Sequence, residues 1–281
     1  MANPYFDAER SGTGTHEWSE RTENIARGCP SGCLYCFAAE NAHRFKWRDR
    51  RNWAFEELTK KAFIKSYPKR PGVIMYPSSH DITPFNVEQF IHVGLLMLRA
   101  GNTVLIVSKP RLDCISRVVE AFAPFRESIM FRFTIGTVDD AVAAHWEPHA
   151  PLPQERIAAL RLAHENGFRT SVSAEPLLGG TETAIAVLGS VRPYVTDTVW
   201  IGKMNHIRRR VDLSSGKNLA AAELIESAQT DEEVLRMVAA LDGDPMVRWK
   251  DSIKAVFGRG ATEATPGDTT VAVGMQSTVK P

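Results

Sequence analysis

The sequence predicts an α/β protein built on a parallel sheet covered by helices. Three observations predict it: short and nearly continuous apolar segments, helical apolar spacing between them, and a regular alternation of the two along most of the 281 residues. The strand segments are Gly72–Tyr76 (GVIMY), Thr103–Val107 (TVLIV), Ile129–Ile135 (IMFRFTI), Arg169–Ala174 (RTSVSA) and Thr198–Ile201 (TVWI). Each is rich in β-branched or apolar residues and bounded by Gly, Pro, Ser or Asp. A sixth, weaker strand is predicted near Glu23–Arg27, just before a cluster of cysteines. Six such units suit a three-quarter barrel as well as a doubly wound sheet, and periodicity does not choose between them.

The helical segments follow the strands. Val87–Arg99 repeats Phe90, Val93, Gly94, Met97 and Leu98 on one face, and Leu112–Ala123 repeats Ile115, Val118, Val119 and Phe122. Pro153–Asn166 carries Ile157, Leu160 and Ala163 and stops at Gly167. Residues 218–257 read as two or three further helices, one opened by a capping box of Thr230 and Glu233. The expected organisation is a flexible N-terminal segment at 1–21, a core at 22–210, a helical extension at 211–258 and a disordered tail at 259–281. No internal repeat is evident.

Composition narrows the function. With 43% hydrophobic and 24% charged residues the chain has the make-up of a soluble globular protein. A net charge of +1 excludes an overall electrostatic attraction to nucleic acid and leaves room for a local basic face. No run of about 18 apolar residues marks a membrane span. The N-terminus lacks the basic start and apolar run of a secretory signal, so a cytoplasmic location is expected. Four cysteines are too few for a disulfide scaffold, and three of them fall within eight residues. In a reducing compartment such clustering points to metal or redox chemistry.

The cluster reads Gly28-Cys29-Pro30-Ser31-Gly32-Cys33-Leu34-Tyr35-Cys36, a C-x3-C-x2-C. Three thiolates this close can wrap one metal cluster, with Gly28 and Gly32 allowing the tight path. A cluster held by three cysteines leaves one iron open for chemistry, by the logic that separates catalytic from structural zinc sites. A zinc site with His43 as fourth ligand, a local disulfide, or a metal-free cluster of thiols are the competing readings. The zinc reading lacks a second C-x2-C pair, and the disulfide lacks an oxidising compartment.

With an aromatic residue, Tyr35, before the last cysteine, the motif resembles the signature of the radical S-adenosylmethionine (SAM) superfamily. The resemblance implies a [4Fe–4S] cluster on Cys29, Cys33 and Cys36, with SAM chelating the fourth iron. It implies that a one-electron reductant such as flavodoxin or ferredoxin drives cleavage of SAM to methionine and a 5′-deoxyadenosyl radical, which takes a hydrogen atom from the substrate. The reaction would be a lyase or another radical-based transformation. The fold implied is a partial (β/α)6 TIM-like barrel with the cysteine loop after the first strand, at the face where barrel active sites are built.

Later segments resemble the spore photoproduct lyase-like branch of that superfamily: Pro77-Ser78-Ser79-His80-Asp81-Ile82-Thr83-Pro84, Ser108-Lys109-Pro110, Trp146-Glu147-Pro148-His149-Ala150-Pro151 with Arg156, Ser173-Ala174-Glu175-Pro176, and Trp200-Ile201-Gly202-Lys203-Met204-Asn205. By this resemblance Tyr35, Ser78, Ser79, Asp81, Ser108, Thr134 and Ser173 are cofactor-binding candidates. Ser78, Ser79 and Asp81 would receive the SAM amino group, and Ser108 and Lys109 would approach its carboxylate or the substrate. Lys109, Glu175 and Lys203 are the catalytic candidates. Each polar residue has an ordinary alternative as a cap or turn, Asp81 above all. No cysteine follows Cys114, whereas the photoproduct lyase has a late one that returns a hydrogen atom, so a substrate of its own is expected.

The stretch from His43 to Trp53 interleaves five cations with three aromatics, a pattern that suits a phosphate backbone and stacked bases. An amphipathic helix with its aromatics against the sheet is the alternative. Arg208-Arg209-Arg210 adds a second basic patch. A nucleic acid or nucleotide is therefore a candidate substrate, and a nucleic-acid-binding protein with a structural metal site is the alternative function.

Overall fold

A computed structural model describes residues 6, 10 and 12–263, with residues 258–263 given by backbone alone. Seven parallel strands form one sheet: β1 (Arg21–Thr22), β4 (Val73–Met75), β5 (Thr103–Ser108), β6 (Ile129–Thr134), β7 (Arg169–Ala174), β8 (Val199–Ile201) and β9 (Val247–Trp249), in that order. Two short strands, β2 (Ala26–Arg27) and β3 (Glu57–Leu58), pair antiparallel outside it. The sheet order follows the chain, as expected when each parallel strand is reached by a helical crossover.

The helices are α1 (Phe37–Arg44), α2 (Lys60–Ile64), α3 (Val87–Arg99), α4 (Leu112–Phe122), α5 (Asp140–Trp146), α6 (Pro153–Glu165), α7 (Thr181–Val191), α8 (Ile207–Arg210), α9 (Gly216–Ala228), α10 (Asp231–Ala240) and α11 (Asp251–Glu263). The three predicted helices match α3, α4 and α6 to within a residue at each end. At α10 the Thr230 hydroxyl accepts from the Glu233 N–H at 3.3 Å, as the capping box requires.

Strand side chains divide by the period of two. Ile74, Val104, Ile106, Phe131, Phe133, Val172 and Val199 pack under α3, α4 and α6 through Phe90, Met97, Val118, Phe122 and Leu160. Each large side chain buried there contributes about 1.5–3 kcal/mol. The opposite, inner face carries Val73, Met75, Leu105 and Met130, with Trp18 packed on them. Arg132 also points inward; it donates to the Ser171 hydroxyl at 3.0 Å and lies 4.8 Å from the Trp18 ring. Burial lowers its guanidinium to about 9. Among the described residues no helix is long and apolar enough to cross a membrane.

Two predictions about strands need correction. The strand expected near Glu23–Arg27 is divided: Arg21–Thr22 pairs with β4, Thr22 opposite Met75, while Ala26–Arg27 is β2, paired with β3 outside the main sheet. Past residue 23 the chain turns to β3 and to the loop after β4 instead. Asn24 Oδ1 accepts the Ser78 and Ser79 N–H groups, and His80 Nε2 accepts those of Ile25 and Ala26. The second correction is β9, inside a stretch expected to be wholly helical. Three residues between Met246 and Lys250 carry too little periodicity to be told from a helix end.

Within the N-terminal segment expected to be irregular, Glu17, Trp18 and Ser19 are buried, and Glu17 pairs with Lys250 at 2.8 Å. In the predicted tail, α11 continues to Glu263, and the rest lies outside the described residues, as do most residues before Gly12.

Candidate active site

The cysteine loop sits at the C-terminal end of the strands, clamped from two sides. On one side the Cys29 N–H donates to Trp53 O at 2.8 Å. On the other, Leu34 N–H donates to Trp146 O at 2.9 Å and His149 N–H to Ser31 O at 3.2 Å. Gly28 makes the first contact possible. Its φ is +93°, and a Cβ there would lie 2.1 Å from Phe55 O and 2.8 Å from Trp53 O. A Gly28→Ala substitution therefore meets strain of roughly 1–3 kcal/mol before the collision is counted. Urea unfolding should show a loss at least that large, together with reduced iron uptake; unchanged stability would contradict this geometry.

Cys36 caps α1, its sulfur accepting the Ala39 N–H at 3.4 Å. All four cysteines are free. Burial, with the Asp81 carboxylate adding to it, pushes the Cys29 thiol up to about 12. Burial pushes Cys33 up well beyond the usual thiol range. Such thiols become thiolates only against the positive charge of a metal. Among the described residues no three His, Cys, Asp or Glu side chains converge as a single bound ion requires. Three free thiols within eight residues are the donor type that an iron–sulfur cluster takes.

Behind the loop lies a buried polar network. Asp81 Oδ2 accepts from Ser31 Oγ at 2.7 Å and stands 3.5 Å from Cys29 Sγ. Its Oδ1 accepts from Ser108 Oγ at 3.1 Å and from the Lys109 N–H at 2.7 Å. Burial alone would raise the Asp81 carboxyl. The Lys109 ammonium, the Lys109 N–H and the two hydroxyls outweigh it and hold the group below the usual carboxylate range. Asp81 thus ties the cysteine loop to the loops after β4 and β5.

Lys109 reaches the next layer, with Nζ 3.9 Å from Glu147 Oε1 and 5.6 Å from the centre of the Tyr35 ring. Burial would lower its ammonium, but Cys33, Tyr35, Asp81 and Glu147 together drive it well above the ordinary lysine value. Glu147 accepts from the Tyr35 hydroxyl and from Arg156. Arg156 also donates to Pro151 O at 2.7 Å and to Thr134 O at 3.2 Å. Tyr35 packs with Trp146, Leu178, Met204 and Ile207, and Cys33 lies against that cluster.

The predicted residues fall into two groups. Tyr35, Asp81, Ser108 and Lys109 share the network just described. Thr134 and Ser173 are opposite each other in register at the upper inner face. Ser78 binds Asn24, its hydroxyl accepting from Nδ2 at 2.9 Å, and Ser79 gives its N–H to the same side chain. Glu175 and Lys203 belong to the second group, at the ends of β7 and β8. Glu175 lies 3.3 Å from Lys250, a fully buried lysine that also donates to Gly14 O at 2.8 Å. Burial raises the Glu175 carboxyl, with Lys250 opposing. Lys203 is 3.7 Å from Asp231 and lines a cavity of about 360 Å³ with Asn205, His206 and Arg208.

Four residues of these polar networks were not singled out as site residues from the sequence: His80, Glu147, Arg156 and Lys250. Glu147 and Arg156 stood in a recognised motif, but the choice between helix anchor and site residue turns on Tyr35, 112 positions away.

No family profile matches the chain. An uncharacterized protein of the Acidianus two-tailed virus is 24% identical over 168 residues, 55% of this chain and 54% of that protein. An uncharacterized protein of Methanocaldococcus jannaschii is 22% identical over 170 residues, 59% of this chain and 64% of that one. The match therefore spans less than two thirds of either relative. Among solved structures, spore photoproduct lyase complexed with dinucleoside spore photoproduct superposes with a TM-score of 0.53 at 13% identity, covering 86% of this chain and 79% of that one. Streptococcus suis SuiB bound to its precursor peptide SuiA superposes at 0.54 and 11% identity, covering 85% and 50%. At the level of structure, the chain shares the α/β partial-barrel fold seen in spore photoproduct lyase.

Proposed function

We propose that the chain is a radical SAM enzyme that carries a [4Fe–4S] cluster on Cys29, Cys33 and Cys36 and abstracts a hydrogen atom from a nucleic acid or nucleotide. The observation that carries this reading is the cysteine loop itself: three thiols at the strand ends, backed by the Asp81–Lys109–Glu147 network. Held by Cys29, Cys33 and Cys36, a [4Fe–4S] cluster would supply the single electron for reductive cleavage of SAM and so the radical chemistry for hydrogen abstraction.

The chain's own residues prepare that site. Asp81 holds Ser31 and the Lys109 backbone, so the loop cannot drift from the strand ends. Lys109 keeps a fixed positive charge beside Tyr35, in place for the SAM carboxylate. Thr134 and Ser173 offer hydroxyls at the same end of the inner face for the ribose. The apolar wall of Tyr35, Trp146, Leu178 and Met204 keeps water from the reacting carbon, which a free radical requires. Glu175 is held by Lys250, so its part is to brace the mouth while Lys203 faces the cavity after β8.

The test is anaerobic reconstitution followed by SAM and dithionite. Release of 5′-deoxyadenosine, carrying deuterium when a labelled oligonucleotide is supplied, is the expected result. Zinc without iron or sulfide after anaerobic purification would favour a structural metal site in its place.

A further inference from the structure

Residues 43–65 form a face unlike the rest of the chain. Eight Lys and Arg stand there against three Asp and Glu, a net charge of +5 in a chain whose total is +1. Three aromatic side chains on it are open to solvent: Phe45 at 50%, Trp47 at 73% and Phe55 at 70%. Phe45 and Trp47 stack on each other at 5.2 Å, and the Arg44 guanidinium lies 4.5 Å over the Phe45 ring. Exposed aromatics grouped among cations mark an interaction surface.

The cations do two different jobs. Arg48 and Arg50 turn inward: Arg48 pairs with Glu57 at 2.6 Å, and Arg50 donates to Leu34 O at 2.7 Å and to Arg210 O. Arg44, Lys46, Arg51, Lys60 and Lys61 remain at the surface. Arg50 binds this face to the cysteine loop through Leu34 O, and Arg48 ties it to Arg27 O, just before the loop. Trp53 O receives the Cys29 N–H, and Cys36 caps the helix that ends at Arg44. Eight residues of helix place that end about 12 Å from Cys36. The network of Asp81, Lys109 and Glu147 meets the loop through Ser31, Cys29 and Tyr35, whereas residues 48–55 hold it through the Cys29 N–H and Leu34 O.

We infer that this face is the docking surface for an acidic one-electron carrier protein of the flavodoxin kind. The inference rests on the radical SAM reading above, because that chemistry needs an electron from outside. A basic aromatic surface fixed to the cluster loop offers the donor charge complementarity and a short path, without occupying the substrate side. Weak electron-transfer contacts are small and steered by charge, as this surface would provide. A second copy of the chain would bring like charge to like. A single-stranded nucleic acid would match the cations and stacked rings, but bases held here would lie outside the loop and away from the inner face. In the transfer, one electron leaves the flavodoxin hydroquinone, which becomes the semiquinone, and lowers the cluster charge by one unit; no bond forms between the proteins.

The test uses the full reconstituted chain under anaerobic conditions. Calorimetric titration with a purified acidic flavodoxin at low salt compares the wild type with Trp47→Ala and with the double variant Arg44→Glu/Lys46→Glu. At least a tenfold loss of affinity is expected in both variants, with dithionite-driven release of 5′-deoxyadenosine unchanged. Absence of wild-type binding, or equal affinity in the variants, overturns the inference, including the case in which only oligo(dT) binding falls. Failure of the dithionite reaction in the wild type would reject the radical SAM reading instead, and the titration is read independently of it.

Discussion

Replacing Cys33 with alanine is expected to abolish cluster retention and reduce 5′-deoxyadenosine release by at least ~100-fold, since outer-shell changes alone typically cost 10–100-fold. Cys33 lies against the apolar wall of Tyr35 and Trp146, so the lost sulfur is a small packing change, about 1 kcal/mol. The variant should therefore fold and fail to hold iron. Cys114 supplies the control. It is buried on α4 among Ile115, Val118 and Phe122, far in sequence from the loop, and Cys114→Ala should keep full iron and turnover. Iron and sulfide analysis beside a product assay reads both variants, and full iron in Cys33→Ala would remove that residue from the ligand set.

The second large effect concerns stability. Glu147 is 2% exposed and receives Tyr35, Arg156 and, at 3.9 Å, Lys109. Glu147→Gln keeps the shape and removes the charge, leaving the buried Arg156 and Lys109 cations without their carboxylate. Breaking a buried pair in this way costs about 3–5 kcal/mol. Urea unfolding should show that loss. A double variant, Glu147→Leu/Arg156→Met, should recover part of it, because one of the stranded cations is gone. A loss below about 1 kcal/mol for Glu147→Gln would mean that the network is not a structural hub.

The sheet was legible in the sequence wherever a strand was long and apolar. β5, β6 and β7 each run for six residues between breakers, and their positions follow from pattern alone. β1 and β9, at two and three residues, carry no periodicity, and β1 stops early because His80 claims the Ile25 and Ala26 N–H groups just beyond it. The packed Trp18 was unreadable for another reason: its partners, Val73, Leu105 and Met130, lie more than 50 positions away.

The site divides in the same manner. The cysteine motif is local, so its spacing could be read directly. Asp81 and Lys109 come together with the loop, as polar residues at consecutive strand ends should. Glu175 and Lys203 lie apart from them because their nearest partners, Lys250 and Asp231, come from the C-terminal part of the chain. The stretch from His43 to Trp53 fits neither sequence expectation in full. Its helix ends at Arg44, its aromatics Phe45 and Trp47 face solvent, Arg50 bonds to the cysteine loop and Arg48 to Phe55 O.

The central claim is that three cysteines hold a cluster whose remaining iron takes SAM. Electron paramagnetic resonance of the anaerobically reduced protein, recorded before and after adding SAM, tests it directly. The expected result is a [4Fe–4S]1+ signal whose shape changes on adding SAM, with 17O broadening when the SAM carboxylate is labelled. A signal unchanged by SAM, or no cluster signal from protein that contains iron and sulfide, would contradict it.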